Sequence, residues 1–299
     1  MIDRRHLLPY LVLASIVLLI LPVVNEWAEG WLYRILLAGP ALLVPMGMQL
    51  VSVEQSFISR SSILSFISAL LFLLAAYCLP TGVSTALLSL PWLLFTFFLA
   101  VAAIRNRQVV SWAWLMACTF LPVAAAWMTA DRLGWQPLGF DPLIVLLTGV
   151  HFHYAGFALA VVTTLLPNSN AKQFLSIGLL PGVAGVAIGI TSTQLAGPNW
   201  IEVLGVTTMV IVGIGVGIKQ IQFAWQNGIS ILPRLFLTLG GLALVVGLSL
   251  ALLYGWRFHY QWEWLTIPWM YATHGLLNSL GFAFLSFLGR YLLLIKPIR

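Results

Sequence analysis

The sequence predicts an all-α fold: a polytopic transmembrane helical bundle of about ten spanning helices. Three observations carry that reading. Of 299 residues, 61% are hydrophobic and 7% are charged, whereas a soluble globular protein carries roughly 25% charged residues. The apolar residues fall in runs of about the ~20 residues needed to cross a hydrocarbon core. The basic residues gather in alternate gaps between those runs, the pattern expected of a multi-pass chain. No stretch is polar enough for a soluble domain, so residues 1–299 read as a single transmembrane domain.

Hydropathy separates the spans Leu7–Val24, Trp31–Ser52, Ser61–Leu79, Gly82–Ile104, Val109–Ala130, Pro142–Leu166, Gln173–Gln194, Ile201–Ile218, Ile229–Tyr254 and Leu265–Leu294. The first begins after Asp3-Arg4-Arg5-His6 and superficially resembles a signal peptide. It is long for such a segment and no A-x-A-like cleavage site follows, so an uncleaved helix is expected. With ten spans, one side collects Arg4, Arg5, Arg60, Arg105, Arg107, Lys172, Lys219, Arg234, Arg290, Lys296 and Arg299. The other collects Arg34, Arg132 and Arg257, which together with the first set are all 14 basic residues. The positive-inside rule then puts both termini in the cytoplasm. The net charge of +6 is explained by these loops, and no nucleic-acid partner is expected; the partner the composition demands is the lipid bilayer.

The outer side carries Glu26, Glu29, Asp131, Asp141 and Glu263, with Trp27, Trp31, Trp135, Trp200, Trp256, Trp262 and Trp264. Indoles at span ends anchor helices at the interface, and His259 and His6 read as interface residues of the same kind. Cys78 and Cys118 lie in apolar runs and read as buried, inert thiols. Gln49, Glu54 and Gln55 close the second span; Thr191, Ser192, Thr193 and Gln194 close the seventh and can cap it. Gly182, Gly185 and Gly189 in the seventh span, and Gly205, Gly213, Gly215 and Gly217 in the eighth, have the small-residue spacing of close helix packing. The rival reading is a broken helix lining a solute path. No internal repeat is evident.

The chemistry concentrates in the sixth and tenth spans. Between Pro142 and Leu166 no side chain carries a fixed charge. At ~1.5 Å per residue, His151 lies roughly 15 Å beyond Asp141, near the centre of a ~30 Å hydrocarbon core. His153 and Tyr154 follow. In the tenth span His274 stands about 12 Å of helix beyond Thr266, at a similar depth. Tyr271, His274 and Asn278 share one face of a regular helix, as do Thr148 and His151, while His153 looks the other way. Imidazoles at that depth are costly unless they bind or pair. Three readings stay open. The polar groups can be interhelical hydrogen-bond partners. His151, His153 and His274 can hold a transition metal or haem. Or Thr148, His151, His153, Tyr154, Tyr271, His274 and Asn278 can line a site for a small-molecule solute. The last is the preferred reading, with spans six and ten expected to pack together; a haem- or metal-dependent membrane oxidoreductase is the alternative, and a structural or accessory membrane protein the third.

The run Phe140-Asp141-Pro142 leading into Thr148-Gly149-Val150-His151-Phe152-His153-Tyr154-Ala155-Gly156-Phe157, followed by His274-Gly275, Asn278 and Gly281-Phe282, resembles the YndJ-like family of bacterial membrane proteins. Pro91-Trp92-Leu93 fits the same pattern, and Ser279 stands where a residue such as alanine is expected. The resemblance implies a polytopic protein of a bacterial cytoplasmic membrane. It favours His151, His153, Tyr154, His274 and Asn278 as the residues that matter, and it carries a transporter label without a mechanism.

Overall fold

The computed structural model describes residues 4–24, 29–52 and 60–295. Glu26, Trp27, Glu54, Gln55, Lys296 and Arg299 lie outside the described residues, as do the side chains of Arg4, Arg5, His6 and Arg60. The described residues contain helices and no strand. We number ten helices: α1 (Arg4–Ile20), α2 (Gly30–Val51), α3 (Arg60–Tyr77), α4 (Val83–Arg105), α5 (Trp112–Leu133), α6 (Pro142–Thr164), α7 (Asn170–Gln194), α8 (Trp200–Ala224), α9 (Ile231–Gly255) and α10 (Ile267–Leu294). Eight of them are long and apolar enough to cross a membrane; α1 and α3 contribute the shorter apolar stretches Pro9–Ile20 and Ile63–Tyr77.

Helix starts follow local chemistry. The side chains of Ser111, Asp141, Ser169 and Thr266 accept hydrogen bonds from the exposed N–H groups of Trp114, Leu143, Lys172 and Trp269. These are N-caps, which supply acceptors to donors that have no partner inside the helix. After Asp141, Pro142 occupies the first helical turn, where its missing N–H costs nothing. Helix α5 stops at Gly134, whose φ of 70° is the left-handed conformation glycine adopts most easily.

The chain divides into two compact units, residues 1–158 and 159–299, and the division falls within α6. In the first, α4 packs on α3 and α5, and α5 packs along the first part of α6. In the second, α8 packs on α7 and α9, and α9 packs on α10.

Glycines set the helix contacts of the second unit. A Cβ on Gly182 would stand 3.2 Å from the Met209 Cα, and one on Gly185 would stand 3.1 Å from the Gly205 Cα. Gly189 meets the backbone of Glu202. This ladder joins α7 to α8 at backbone contact, the arrangement small-residue spacing favours in membranes. Both helices are uninterrupted, so the broken-helix reading of their glycines is overturned. On α9, Gly240 faces Ser286 and Gly247 faces Asn278 of α10.

Irregularity occurs elsewhere. Among the described residues, π-helical turns occur in α2 (Gly39–Leu43), α6 (Phe152–Ala158) and α10 (Tyr271–Gly275 and Leu277–Phe284). Such turns carry i→i+5 hydrogen bonds, are rare, and are frequent at functional sites. Two of the three helices bear the mid-span histidines.

Candidate functional site

In the first unit, the π turn of α2 follows from Pro40. Proline has no N–H to donate. The Gly39 N–H bonds the Leu36 carbonyl, leaving the Ile35 carbonyl without the donor a regular helix would give it. The Tyr154 hydroxyl donates to that carbonyl at 2.9 Å. The Tyr10 hydroxyl donates to the Ala41 carbonyl at 2.8 Å. In a medium without water an unpaired carbonyl is expensive, so these tyrosines fix α1 and α6 against the irregular turn.

His153 sits on the facing π turn of α6 and is fully buried. Its Nδ1–H donates to the Gly149 carbonyl at 2.8 Å. A Cβ on Gly39 would lie 2.8 Å from the imidazole, so the ring lies directly against the bare glycine backbone. The Trp92 ring, also fully buried, is near-parallel to it with centroids 6.5 Å apart. Thr148 donates to the Ile144 carbonyl of its own helix at 2.7 Å. His151 is half-buried and meets Phe152 edge-on.

A second polar centre of this unit lies at the end of α5. Arg132 is fully buried, as is Asp131 at 3% exposure. The guanidinium pairs with the Asp131 carboxylate at 3.0 Å and stands 4.2 Å from the Tyr77 ring centroid and 5.5 Å from that of Tyr33. Its main-chain carbonyl accepts from the Thr85 hydroxyl and the Gly82 N–H. The sequence reading treats both charges as outer span-end groups; the structure gives them an enclosed aromatic box. A buried charge is tolerable when paired and hydrogen-bonded, and aromatic faces add cation–π attraction.

In the second unit, His274 rests on α9, its Nδ1–H donating to the Gly247 carbonyl at 2.7 Å. The Asn278 amide donates to the His274 carbonyl at 2.8 Å and lies against the ring edge, 3.1 Å from Nδ1 and 3.5 Å from Nε2. Both residues are half-buried. Tyr271, one turn earlier, is half-buried as well. Thus His274 and Asn278 do meet as helical spacing predicts, although the helix there is π-helical.

Glu202, in the first turn of α8 and 2% exposed, is the acidic residue the sequence reading missed. Its carboxylate pairs with Arg257 at 2.6 Å and accepts from the Thr193 hydroxyl at 2.8 Å. Arg257 also stands over the Tyr254 and Phe258 rings. Thr193 therefore serves a carboxylate on the next helix. The detectable signal was the opposite charge at the far end of α9. Gln220, fully buried, donates to the Leu237 carbonyl and to Ser286.

Among the described residues of either unit, no three His, Cys, Asp or Glu side chains converge as metal ligands would. Cys118 is buried, Cys78 half-buried, and both are free. His259 is exposed beside Trp256.

These features define a multi-pass α-helical membrane protein with polar groups held inside its helices. The chain belongs to the YndJ-like protein family, whose profile matches residues 34–282. It is 24% identical over 205 residues to the uncharacterized membrane protein YndJ of Bacillus subtilis (strain 168), a match covering 64% of this chain and 36% of that protein. The chain thus matches well under half of that relative's length. No solved structure matches.

Proposed function

We propose that the chain is a small-molecule permease of the bacterial cytoplasmic membrane, with both termini cytoplasmic and with Tyr271, His274 and Asn278 as its solute contacts. One observation carries this reading. The Gly247 carbonyl fixes His274 through Nδ1–H, which leaves Nε2 as the ring's acceptor, with the Asn278 amide along the same ring edge at 3.1 Å from Nδ1 and 3.5 Å from Nε2. A half-buried acceptor and donor, side by side in an uncharged stretch of helix, suit a neutral polar solute. His153, Tyr154 and Thr148 are committed to helix contacts or to their own helix and serve as its framework. Glu202 is bound in an ion pair, so coupling to a proton or sodium gradient is not part of the proposal.

The test is uptake of a panel of small neutral solutes into proteoliposomes. His274→Ala and Asn278→Ala should each reduce the rate by about tenfold, the loss of one hydrogen bond of ~1.4 kcal/mol, without lowering thermal stability by a similar amount. Absence of flux for every solute would leave an accessory role. Cysteine labelling from outside at Leu138, and at Asn106 and Asn170 only after permeabilisation, tests the orientation.

A second reading is favoured by the same geometry. A histidine that donates its other ring N–H to a backbone carbonyl is oriented as metal- and haem-binding histidines are, and His153 and His274 both do so. An optical spectrum and metal analysis decide. A Soret band or stoichiometric metal lost in His151→Ala or His274→Ala overturns the permease in favour of an oxidoreductase.

A further inference from the structure

The second unit carries its charges at opposite ends. Its acidic residues are Glu202 and Glu263; the stretches 203–262 and 264–299 contain no other. Glu202 opens α8 and is paired with Arg257, just past the end of α9. At the opposite end Gln220 donates to the Leu237 carbonyl and the Ser286 hydroxyl, joining the close of α8, the opening of α9 and the close of α10. Lys219, Arg234 and Arg290 each stand within about one helical turn of that junction. Gln220 lies about 27 Å of helix beyond Glu202, several times the ~8 Å over which salt screens exposed charges. The carboxylates of this unit therefore do not neutralise these cations.

Both arginines are held by aromatic rings from the end of α8. The half-buried Arg234 donates through Nη2 to the Ile229 carbonyl at 2.9 Å, and its guanidinium carbon stands 5.2 Å from the Trp225 ring centroid. The Arg290 guanidinium carbon stands 3.9 Å from the Phe223 centroid. Lys219 donates to the Gln222 side chain at 2.9 Å. Among the described residues no carboxylate pairs with Arg234 or Lys219. The positive-inside rule asks only for a number of cations, which freely moving side chains satisfy equally well. A guanidinium already held in place loses less freedom when it binds, and Arg234 keeps N–H groups of the planar fork that suits phosphate oxygens. Trp225 is exposed, and an indole at a span end sits at headgroup level. Ile218, Ile231, Leu232 and Leu235 are exposed around it, an apolar surface for acyl chains. We propose that this end binds one anionic phospholipid, its phosphate on the Arg234 fork and in the positive field of Lys219 and Arg290. The site uses none of Tyr271, His274 and Asn278 and does not rest on the permease reading.

Native mass spectrometry of the full chain in neutral detergent, titrated with phosphatidylglycerol and separately with zwitterionic phosphatidylcholine, tests the site. The expected result is a one-to-one complex with phosphatidylglycerol, at least about fivefold tighter than with phosphatidylcholine. Arg234→Gln should weaken the phosphatidylglycerol complex by about fivefold, the scale of one cation at a membrane surface. Arg107→Gln, which removes an exposed cation of the first unit, should leave it unchanged. Because Arg234→Gln also frees the Ile229 carbonyl, Lys219→Gln serves as a second variant and should weaken the complex by a similar factor. Equal affinity for the two lipids overturns the proposal. So does equal weakening by Arg234→Gln and Arg107→Gln, which would show diffuse surface charge, or unchanged binding in both Arg234→Gln and Lys219→Gln. Displacement of the lipid by millimolar inorganic phosphate also overturns it, since the site would then take the free anion.

Discussion

The two units use the same devices at different degrees of enclosure. Each has a histidine on a π turn whose Nδ1–H is held by a glycine carbonyl, Gly149 for His153 and Gly247 for His274. Each has an arginine near the end of a helix, over aromatic rings and paired with a carboxylate. Each arginine is followed nine residues later by the side chain that caps the next helix, Asp141 or Thr266. The difference is exposure. His153 and Arg132 are fully buried, whereas His274 is half-buried and the Arg257 side chain is 28% exposed. Enclosure turns a polar group into a support. Partial exposure leaves it open to what the proposed permease function asks of His274.

The largest effect should come from the arginines. Arg132→Met leaves Asp131 buried without its partner and should cost about 3–5 kcal/mol, seen as loss of monodisperse, folded protein in detergent. Arg257→Met should cost less, about 1–3 kcal/mol, because the guanidinium it removes is 28% exposed and the Thr193 hydroxyl still donates to the buried Glu202 carboxylate. Equal losses in thermal melting would break the comparison.

Glycine substitutions sharpen it. Gly39→Ala drives a methyl against the enclosed His153 ring, with overpacking of about 1–3 kcal/mol. Gly247→Ala meets the Asn278 amide, a side-chain end that can swing away. That variant should melt within about 1 kcal/mol of native yet lose solute uptake.

Next is Tyr154→Phe, which removes the donor to Ile35 and should cost about 1–2 kcal/mol by thermal unfolding. Thr148→Val should be nearly neutral, within about 0.5 kcal/mol, since Thr148 bonds its own helix. A larger loss there would reveal an interhelical role for this hydroxyl.

The sequence made the helices and their glycine contacts legible for a physical reason. Apolar run length and small-residue spacing act locally, so Gly182, Gly185 and Gly189 announce a close partner without identifying it. The π turns were hidden because they depend on hydrogen-bond bookkeeping across helices. The carbonyl that Pro40 leaves over, Ile35, finds its donor in a hydroxyl 119 residues further along the chain. Faces drawn with a regular helical period therefore described His153 incompletely. Asp131 and Arg132 look like ordinary span-end charges in sequence; their burial comes from Tyr33 and Tyr77, which periodicity does not bring to them. Glu202 was overlooked because one carboxylate opening an apolar run resembles an interface residue. The meeting of His274 and Asn278 was readable because four residues still bring side chains close even where the turn widens.

The bond from Tyr154 to Ile35 also sets an order of events during biosynthesis. Helix α2 leaves the ribosome 119 residues ahead of the hydroxyl that completes it, a delay of roughly 6–24 s at about 5–20 residues per second. During that interval the Ile35 carbonyl lacks the donor it has in the finished protein, so the turn at Pro40 reaches its final form only once α6 has been made.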